Sequence, residues 1–194
     1  MDRCIRRAME KDRYNIAFCI AEGFEKDFSV LCKDTQRVAA AIAPGLQIER
    51  FYIVEIAAEI AGVMAIADCN GRAAKVDRES LKKHFGLVKG MIAALVLREE
   101  FEGRLNYPQE TGYIEFVAVR KKFRRNSIAS FMLRESMAMS RYKDFVLDVT
   151  DVNMAALCCY TRLGFREFER ITEKHAKQKG YGAKIYMRYE KAGE

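Results

Sequence analysis

Residues 153–165, NMAALCCYTRLGF, carry two hydrogen-bonding side chains at a spacing that fits one face of a helix. A period of 3.6 residues places Asn153, Ala156 and Tyr160 on one stripe, with a small residue between the two polar ones. A flexible ligand can lie along such a stripe and bond to both ends. Gly164 suits a helix that ends in a left-handed cap. Spacing alone also allows a simpler interpretation, in which Tyr160 is a half-buried aromatic whose hydroxyl finds a backbone partner.

The segment FRRNSIAS contains what a phosphate site needs. Such a site uses backbone N–H groups at a helix N-terminus, nearby cations and residues small enough to let the ligand approach. Arg124 and Arg125 supply the charge, and Ala129 is small. We expect Asn126 to take the left-handed conformation of a tight turn and Ser127 to cap the helix. Taken alone, however, the segment favours an ordinary capped helix after a solvated basic turn.

One carboxylate falls inside a strand-like run. In YIEFVAV, Glu115 alternates with apolar residues, and a carboxylate on an interior strand is costly unless it is paired or faces a wet cleft. A cleft-facing Glu115 suits a general base. The rival interpretation is a cross-strand ion pair with a Lys or Arg, and the sequence leaves the two open.

Positive charge is concentrated in one place. The 194 residues have a formal net charge of +7, and RKKFRR, residues 120–125, packs five cations into six positions. This indicates an anionic partner, for which nucleic acid, a membrane surface and a phosphorylated cofactor are candidates. Nucleic acid ranks last, because no conventional nucleic-acid motif accompanies the run.

Cysteine and histidine usage argues against a metal site. The six cysteines form no CxxC pair and there are only two histidines, so zinc-site spacing is absent and we expect reduced thiols. The charged start, MDRCIRRAMEKDR, lacks the apolar stretch of a secretory signal, and runs such as MIAALVL are too short to span a bilayer. We therefore expect a cytoplasmic protein with neither a metal nor a membrane segment.

Hydrophobic periodicity predicts the elements that must position these residues. Their order is strand, two helices, a hairpin of two strands, a mainly helical stretch, strand, helix, strand, helix and two final strands. The hairpin is expected to break at Glu59, and the helical stretch has Asp77 as an N-cap and Gly86 as a break. This order indicates an α/β fold with a mixed sheet of about seven strands and helices on both faces. No linker divides the chain, so residues 1–194 are expected to form one domain.

Two of these segments together resemble the GNAT superfamily of N-acyltransferases. The phosphate loop of that family reads (R/Q)xxGx(G/A), and RRNSIA places Arg124, Ser127 and Ala129 at its positions, with serine where glycine is usual. The family's later motif is similar to NxxAxxxYxxxGF, and residues 153–165 match every position of it. The predicted element order extends the likeness to most of the chain. Residues 68–111 are longer than the family's usual connection, and we interpret them as a helical insertion beside the acceptor pocket.

The resemblance implies an N-acetyltransferase that uses acetyl-CoA as acyl donor. The pyrophosphate of CoA would rest on N–H groups before the following helix, and the pantetheine arm would pair with the preceding strand like an added strand. The residues expected to bind the cofactor are Val117, Ala118, Val119, Arg124, Arg125, Asn126, Ser127, Ile128, Ala129, Ser130 and Asn153. Arg120, Lys121 and Lys122 either meet the remaining phosphate or are merely solvated.

The likeness also implies direct attack of a primary amine on the thioester. The departing thiolate gains from a proton donor, and Tyr160 suits that role because a tyrosine pKa of about 10 lies above a thiol pKa of about 8.5. Glu115 would be the general base. The acceptor stays open among small amines, antibiotics, polyamines and protein amino groups, and so does a homodimer. Ser127 leaves an alternative function: a catalytically degenerate protein of this fold that binds or senses an acyl-CoA.

Overall fold

The computed structural model describes residues 3–191, which form a seven-stranded mixed sheet with helices on both faces. The strands are β1 (Cys4–Arg7), β2 (Phe51–Ile56), β3 (Glu59–Ala67), β4 (Thr111–Val119), β5 (Asp144–Thr150), β6 (Arg166–Thr172) and β7 (Ala183–Glu190). The α-helices are α1 (Arg13–Gly23), α2 (Glu25–Phe28), α3 (Thr35–Ile42), α4 (Arg78–Phe85), α5 (Leu87–Phe101), α6 (Ile128–Met139), α7 (Met154–Arg162) and α8 (Ala176–Lys179). Short 3₁₀ turns cover Glu10–Asp12, Ala43–Gly45, Ile48–Arg50 and Lys121–Phe123. The predicted fold class is confirmed.

The sheet has the strand order β1-β2-β3-β4-β5-β7-β6. The first four strands pair antiparallel, as do β5, β7 and β6, while β4 and β5 run parallel. Because parallel neighbours need a crossover connection, α6 carries the chain from β4 to β5 across one face.

The β2–β3 hairpin turns just before the predicted break. Ala57 and Ala58 have φ values of 50° and 62°, whereas Glu59 already pairs with Ile56 as part of β3. A two-residue hairpin loop of this type needs positive φ at both positions, which Asn and Gly usually supply. The loop contains neither Asn nor Gly, so the sequence predicts the break at the first polar residue, Glu59.

Two apolar cores lie on the two faces of the sheet. Helices α1, α3, α4 and α5 cover one face, where Ile16 and Phe51 are fully buried. Helices α6 and α7 cover the other face, where Met132 and Phe145 are fully buried. Successive strand residues alternate between the two cores, as the period of a strand requires.

The chain between β3 and β4 is mainly helical, as predicted. The Asp77 side chain accepts a hydrogen bond from the N–H of Ser80 and caps α4, and Gly86, with a φ of 84°, separates α4 from α5. The two helices pack closely at Gly90, where a Cβ would lie 2.5 Å from the Cα of Lys82. A side chain at position 90 would therefore force the helices apart.

β4 turns away from β5 after a short parallel contact. In the described chain, ladder pairs join the two strands from Thr111 to Tyr113 and no further. Phe116 then takes a φ of 55°, and the pairing of β4 with β3 shifts register near this point. A bulge of this kind bends a strand and re-aims its edge. The Phe116 ring is held by the rings of Phe24, Phe51 and Phe101, with centroids 6.5, 5.9 and 5.0 Å away.

Candidate active site

The divergence of β4 and β5 leaves an open gap in the middle of the sheet. Residues 117–119 of β4 keep β3 as a neighbour on one edge, but no described strand pairs with their other edge. The Val119 carbonyl accepts a hydrogen bond from Nε of Arg124 at 3.1 Å. An extended ligand can bond to such an open edge in the way an additional strand would.

The loop before α6 presents a row of free N–H groups. Among residues 3–191, the backbone N–H groups of Arg125–Ser130 have no acceptor, since the first hydrogen bond at the start of α6 runs from Phe131 to Ser127. The helix has 12 residues, so its N-terminus also carries the positive end of a helix dipole. Free N–H groups and the dipole together favour a bound phosphate.

Two sequence predictions about this loop are wrong. Arg125 and Ser127 take the left-handed conformation, with φ values of 64° and 55°, and Asn126 does not. Asn126 instead uses its Nδ2 to bond to the carbonyls of Phe123 and Arg124, which closes the preceding turn. The Ser127 side chain makes no capping bond, because a capping serine needs an extended rather than a left-handed backbone.

Most cations of the RKKFRR run already have partners. The ion pairs are Arg120–Glu22, Lys121–Glu25 and Lys122–Glu59. Arg124 bonds to the Val119 carbonyl, which leaves Arg125 as the exposed cation of the run without a partner in the described chain. The run therefore forms a braced loop with one free guanidinium, and it does not form a broad open basic surface.

Tyr160 lies on the inner side of α7. The ring is 8% exposed and packs against Phe165, and no group of residues 3–191 hydrogen bonds to the hydroxyl. The backbone-bonded tyrosine that spacing alone allowed is therefore not found. Burial raises the pKa of Tyr160 above its ordinary value, so the phenol is protonated at neutral pH.

The end of α7 at Gly164 is as predicted, but Asn153 lies before the helix and caps it, whereas the spacing placed Asn153 on the helix face. Asn153 is the N-cap, and its Oδ1 accepts a hydrogen bond from the N–H of Ala156 at 3.2 Å. Gly164 follows the helix with a φ of 97°, a conformation that glycine adopts without strain. The capping bond occupies the oxygen of Asn153 and leaves Nδ2, on an exposed residue, for other contacts.

One contact joins the start of α6 to α7, the helix that carries Tyr160. The Oγ of Ser130, in the first turn of α6, lies 3.2 Å from the Sγ of Cys159, which precedes Tyr160 on α7. The free N–H groups of residues 125–130 and the turn of α7 that carries Tyr160 are thus neighbours on the same face of the sheet.

Glu115 lies on the other face, in an ion pair with Arg72. Its Oε1 accepts from Nε of Arg72 at 2.6 Å, and its Oε2 accepts from the N–H of Ala73 at 2.8 Å. Arg72 also donates to the carbonyls of Glu100 and Gly103 at the end of α5. Burial raises the pKa of Glu115, and the Arg72 charge opposes that rise. The ion pair that the sequence left open is present, with a partner from the β3–β4 connection.

A second carboxylate, which sequence reasoning missed, lies across the gap. Asp148 on β5 accepts a hydrogen bond at 2.5 Å from the hydroxyl of Tyr113, which shares a face of β4 with Glu115. Lys184 on β7 lies 3.7 Å from its other oxygen. The Asp148 side chain is 27% exposed, against 6% for Glu115. Asp148 could have been found in the strand-like run FVLDV. A carboxylate on an interior strand is costly unless it is paired or faces a cleft, and this argument applies to Asp148 as it does to Glu115.

A family model described as the acetyltransferase (GNAT) family matches residues 20–165. The matched range includes the open edge of β4, the loop before α6 and Tyr160. The chain belongs to the GNAT family.

The GNAT fold of this chain is similar to that of many solved structures. An N-acetyltransferase from Staphylococcus aureus Mu50 gives a TM-score of 0.63 at 16% identity, over 96% of this chain and 100% of that one. A GNAT-family acetyltransferase from Streptococcus pneumoniae gives 0.58 at 20% identity, over 97% and 99%. A ribosomal-protein-alanine N-acetyltransferase from Brucella melitensis gives 0.61 at 11% identity, over 96% and 99%. At these identities the likeness shows the fold alone, and no curated protein sequence matches.

The two histidines of this GNAT protein lie on elements that do not border the gap, His84 on α4 and His175 before α8. His84 is half-buried and His175 is exposed. Within residues 3–191, no group of three or more His, Cys, Asp or Glu side chains is arranged to hold a metal ion, and no helix has the length and apolar character to cross a membrane. All six cysteines are free thiols.

Proposed function

We propose that this GNAT protein is an N-acetyltransferase that moves an acetyl group from acetyl-CoA to a primary amine. The observation that carries the proposal is the contact between Ser130 and Cys159, because it joins a phosphate site to a proton donor. The open edge of β4 lies beside both, so three groups that an acyl-CoA would need adjoin one another.

The chemistry of the loop fits the pyrophosphate of CoA. The free N–H groups of Arg125–Ser130 would hold it, and the unpaired Arg125 guanidinium would add charge. Arg124 acts indirectly, since its bond to Val119 braces the loop against β4. The backbone of Val117–Val119 would bond to the pantetheine arm, with Nδ2 of Asn153 as a further donor. When bound, acetyl-CoA supplies a thioester carbonyl that an amine can attack.

Tyr160 is the proposed general acid. Its hydroxyl has no competing partner in the described chain, and its raised pKa keeps the proton on the phenol until a stronger base, such as a departing thiolate, comes within reach. The surrounding ring contacts, including Phe165 at a centroid distance of 6.0 Å, fix the direction of the hydroxyl.

Glu115 is the proposed general base. It directly precedes Phe116, where β4 turns at the gap, and burial raises its pKa above the ordinary value of a glutamate, against the opposing charge of Arg72. Asp148 is the second candidate, because it is more exposed and faces the same side of the sheet. Both carboxylates lie on the face of the sheet opposite Tyr160. An amine that enters from that face would therefore have the base on its own side of the gap and the general acid on the other side.

The acceptor pocket is proposed to lie between the gap and the β3–β4 connection. Arg72 of that connection holds Glu115, and the side chain of Glu100 pairs with Lys184 of β7. We therefore propose that residues 68–111 are a helical insertion within a single domain of residues 1–194. The six free thiols support a reducing compartment, and the cytoplasm stays the proposed location.

No observation on the described residues favours the alternative functions. Ser127 keeps the loop open to a phosphate, because its own N–H and those of its neighbours lack acceptors. Arg120, Lys121 and Lys122 each face a carboxylate, so the run is locally balanced in charge and lacks the unopposed basic surface that a nucleic acid favours.

Calorimetric titration with acetyl-CoA tests the proposal first. We expect saturable micromolar binding that persists at moderate salt, and we expect a short RNA duplex to give no comparable heat. A thiol-release assay with a panel of primary amines follows. Binding of acetyl-CoA without turnover by any amine would favour the degenerate alternative, and absence of binding would refute the proposal.

A further inference from the structure

Helix α5 exposes an apolar face to solvent along most of its length. Its inner side, at Gly90, Ala93 and Ala94, is buried against the rest of the protein. The outer face carries six large apolar side chains, each more than half exposed: Leu87, Val88, Met91, Ile92, Leu95 and Val96. Their spacing of three and four residues places them side by side on one surface. A helix that is apolar on both sides is normally covered on both sides.

The size of this outer face matches a protein interface. The six side chains are between 55% and 73% exposed. Together they present roughly 600–700 Å² of apolar surface per copy, close to the ~800 Å² per partner of a standard stable interface. Apolar patches beyond a few hundred Å² are uncommon on monomers and mark interaction sites.

The charges around the outer face are complementary to those of a second copy turned end for end. Lys83 and Lys89 flank the start of α5, and Glu99 continues the outer face at its end. All three are exposed and form no ion pair within residues 3–191. An antiparallel arrangement brings the basic end of one helix beside the acidic end of the other, and it also aligns the two helix dipoles favourably. A parallel arrangement would place like charges together.

We propose that the outer face of α5, residues 87–96, is the interface of a homodimer in which two α5 helices pack antiparallel about a two-fold axis. A surface that is complementary to itself after a two-fold rotation is what an isologous dimer requires. A lipid surface fits less well, since a membrane-bound amphipathic helix carries cations along its whole polar flank. Here Lys83 and Lys89, which are unpaired within the described residues, lie only near the start of α5, and Glu99, likewise unpaired there, lies at its end. The proposal does not depend on the acetyltransferase activity.

Size-exclusion chromatography with light scattering on the full chain tests the interface. We expect a mass of twice 22.3 kDa at micromolar concentration. Leu95→Glu, at a position 73% exposed in the single copy, should give the monomer mass with an unchanged circular-dichroism spectrum. Its thermal midpoint should no longer depend on protein concentration, whereas that of the wild type should. The matched control is Val30→Glu, which is 83% exposed and outside this face, and it should stay dimeric.

Charge reversal tests the antiparallel direction. Lys89→Glu and Glu99→Lys should each raise the dimer dissociation constant severalfold, and the double variant should recover most of the loss. Additive weakening in the double variant would refute the antiparallel arrangement. A wild-type chain that is monomeric across the concentration range would refute the interface altogether. The dimer interface would also be refuted if the wild-type monomer sedimented with vesicles of phosphatidylcholine and phosphatidylserine and Leu95→Glu abolished this sedimentation. The outer face of α5 would then bind lipid.

Discussion

Tyr113 and Asp148 bridge β4 and β5 at the last position where the two strands pair. Tyr113 lies opposite Val146 in the ladder, and its hydroxyl donates to Asp148, two residues further along β5. Burial raises the pKa of Tyr113, so the phenol stays a neutral donor. The bond fixes the closed end of the gap and orients a carboxylate toward its open part.

Replacement of Tyr160 by Phe should slow turnover strongly. Loss of a positioned general acid costs about 10²-fold or more in kcat, while acetyl-CoA affinity should stay within about twofold because the ring packing is kept. Tyr14→Phe, at an exposed position on α1, is the matched control. Unchanged kcat in Tyr160→Phe would rule out the acid role. Because the pKa of Tyr160 is raised, the wild-type rate should not fall on the alkaline side below about pH 10 through loss of this proton.

The acidic limb of the pH profile should identify the general base. A base works as its carboxylate, so activity is lost as pH falls through the pKa of the folded enzyme, and burial places that pKa above the ordinary value for Glu115. Glu115→Gln should lower kcat/KM and remove this limb. Asp148→Asn should leave the limb in place if Glu115 is the base, and should remove it if Asp148 is.

Glu115→Gln should also destabilise the fold, and this effect must be measured beside the rate. The substitution leaves the Arg72 guanidinium largely buried without a counter-charge, a change that costs about 3 kcal/mol. Urea denaturation of Glu115→Gln and of the double variant Glu115→Gln/Arg72→Met separates the two effects. Removal of both charges should restore part of the stability without restoring the acidic limb.

Ser127→Gly should stabilise the phosphate loop. A non-glycine residue in the left-handed conformation carries a strain of about 1 kcal/mol, which glycine relieves, and Ser127 contributes no capping bond that could be lost. We expect a gain of roughly that size in the free energy of unfolding and no loss of acetyl-CoA affinity. Ser127→Ala keeps the strain and should change neither quantity. Weaker binding in Ser127→Gly would mean that the hydroxyl itself contacts the cofactor.

Arg125→Ala should weaken acetyl-CoA binding threefold to tenfold, roughly the contribution of an exposed charge-assisted contact to phosphate. The salt dependence of binding should decrease in the same variant. Arg134→Ala removes another exposed arginine of this region, on α6 itself, and should leave both quantities unchanged. Equal losses in the two variants would indicate a general field effect and no contact at Arg125.

The fold was predictable where local signals agree with the tertiary structure. Asp77 and Gly86 bound α4 as their cap and turn preferences indicate. The alternation of apolar residues in β4 and the end of α7 at Gly164 are similarly local. The hairpin turn at Ala57 and Ala58 was not predictable, because ordinary alanines take a conformation there that only the paired strands impose.

The pairing of charged side chains could not be read from the chain. Glu115 pairs with Arg72, which is 43 residues away in the sequence, and Lys121 pairs with Glu25, which is 96 residues away. Such contacts depend on which elements lie side by side, and residue spacing along the sequence carries no information about them. For the same reason the basic run could be identified as a cluster from the sequence, while the ion pairs formed by three of its five cations could not.

The packing of Phe101 against Phe116 limits how the β3–β4 connection can be exchanged between proteins. Phe101 ends α5, and its ring is the nearest of the three aromatic neighbours of the residue at which β4 bends. A chimera that receives this connection from another protein, as a way to alter acceptor choice, would lose both that ring and the Arg72 clamp. Such a graft would succeed only if the transplanted segment brought its own aromatic wedge and its own cation to the strand.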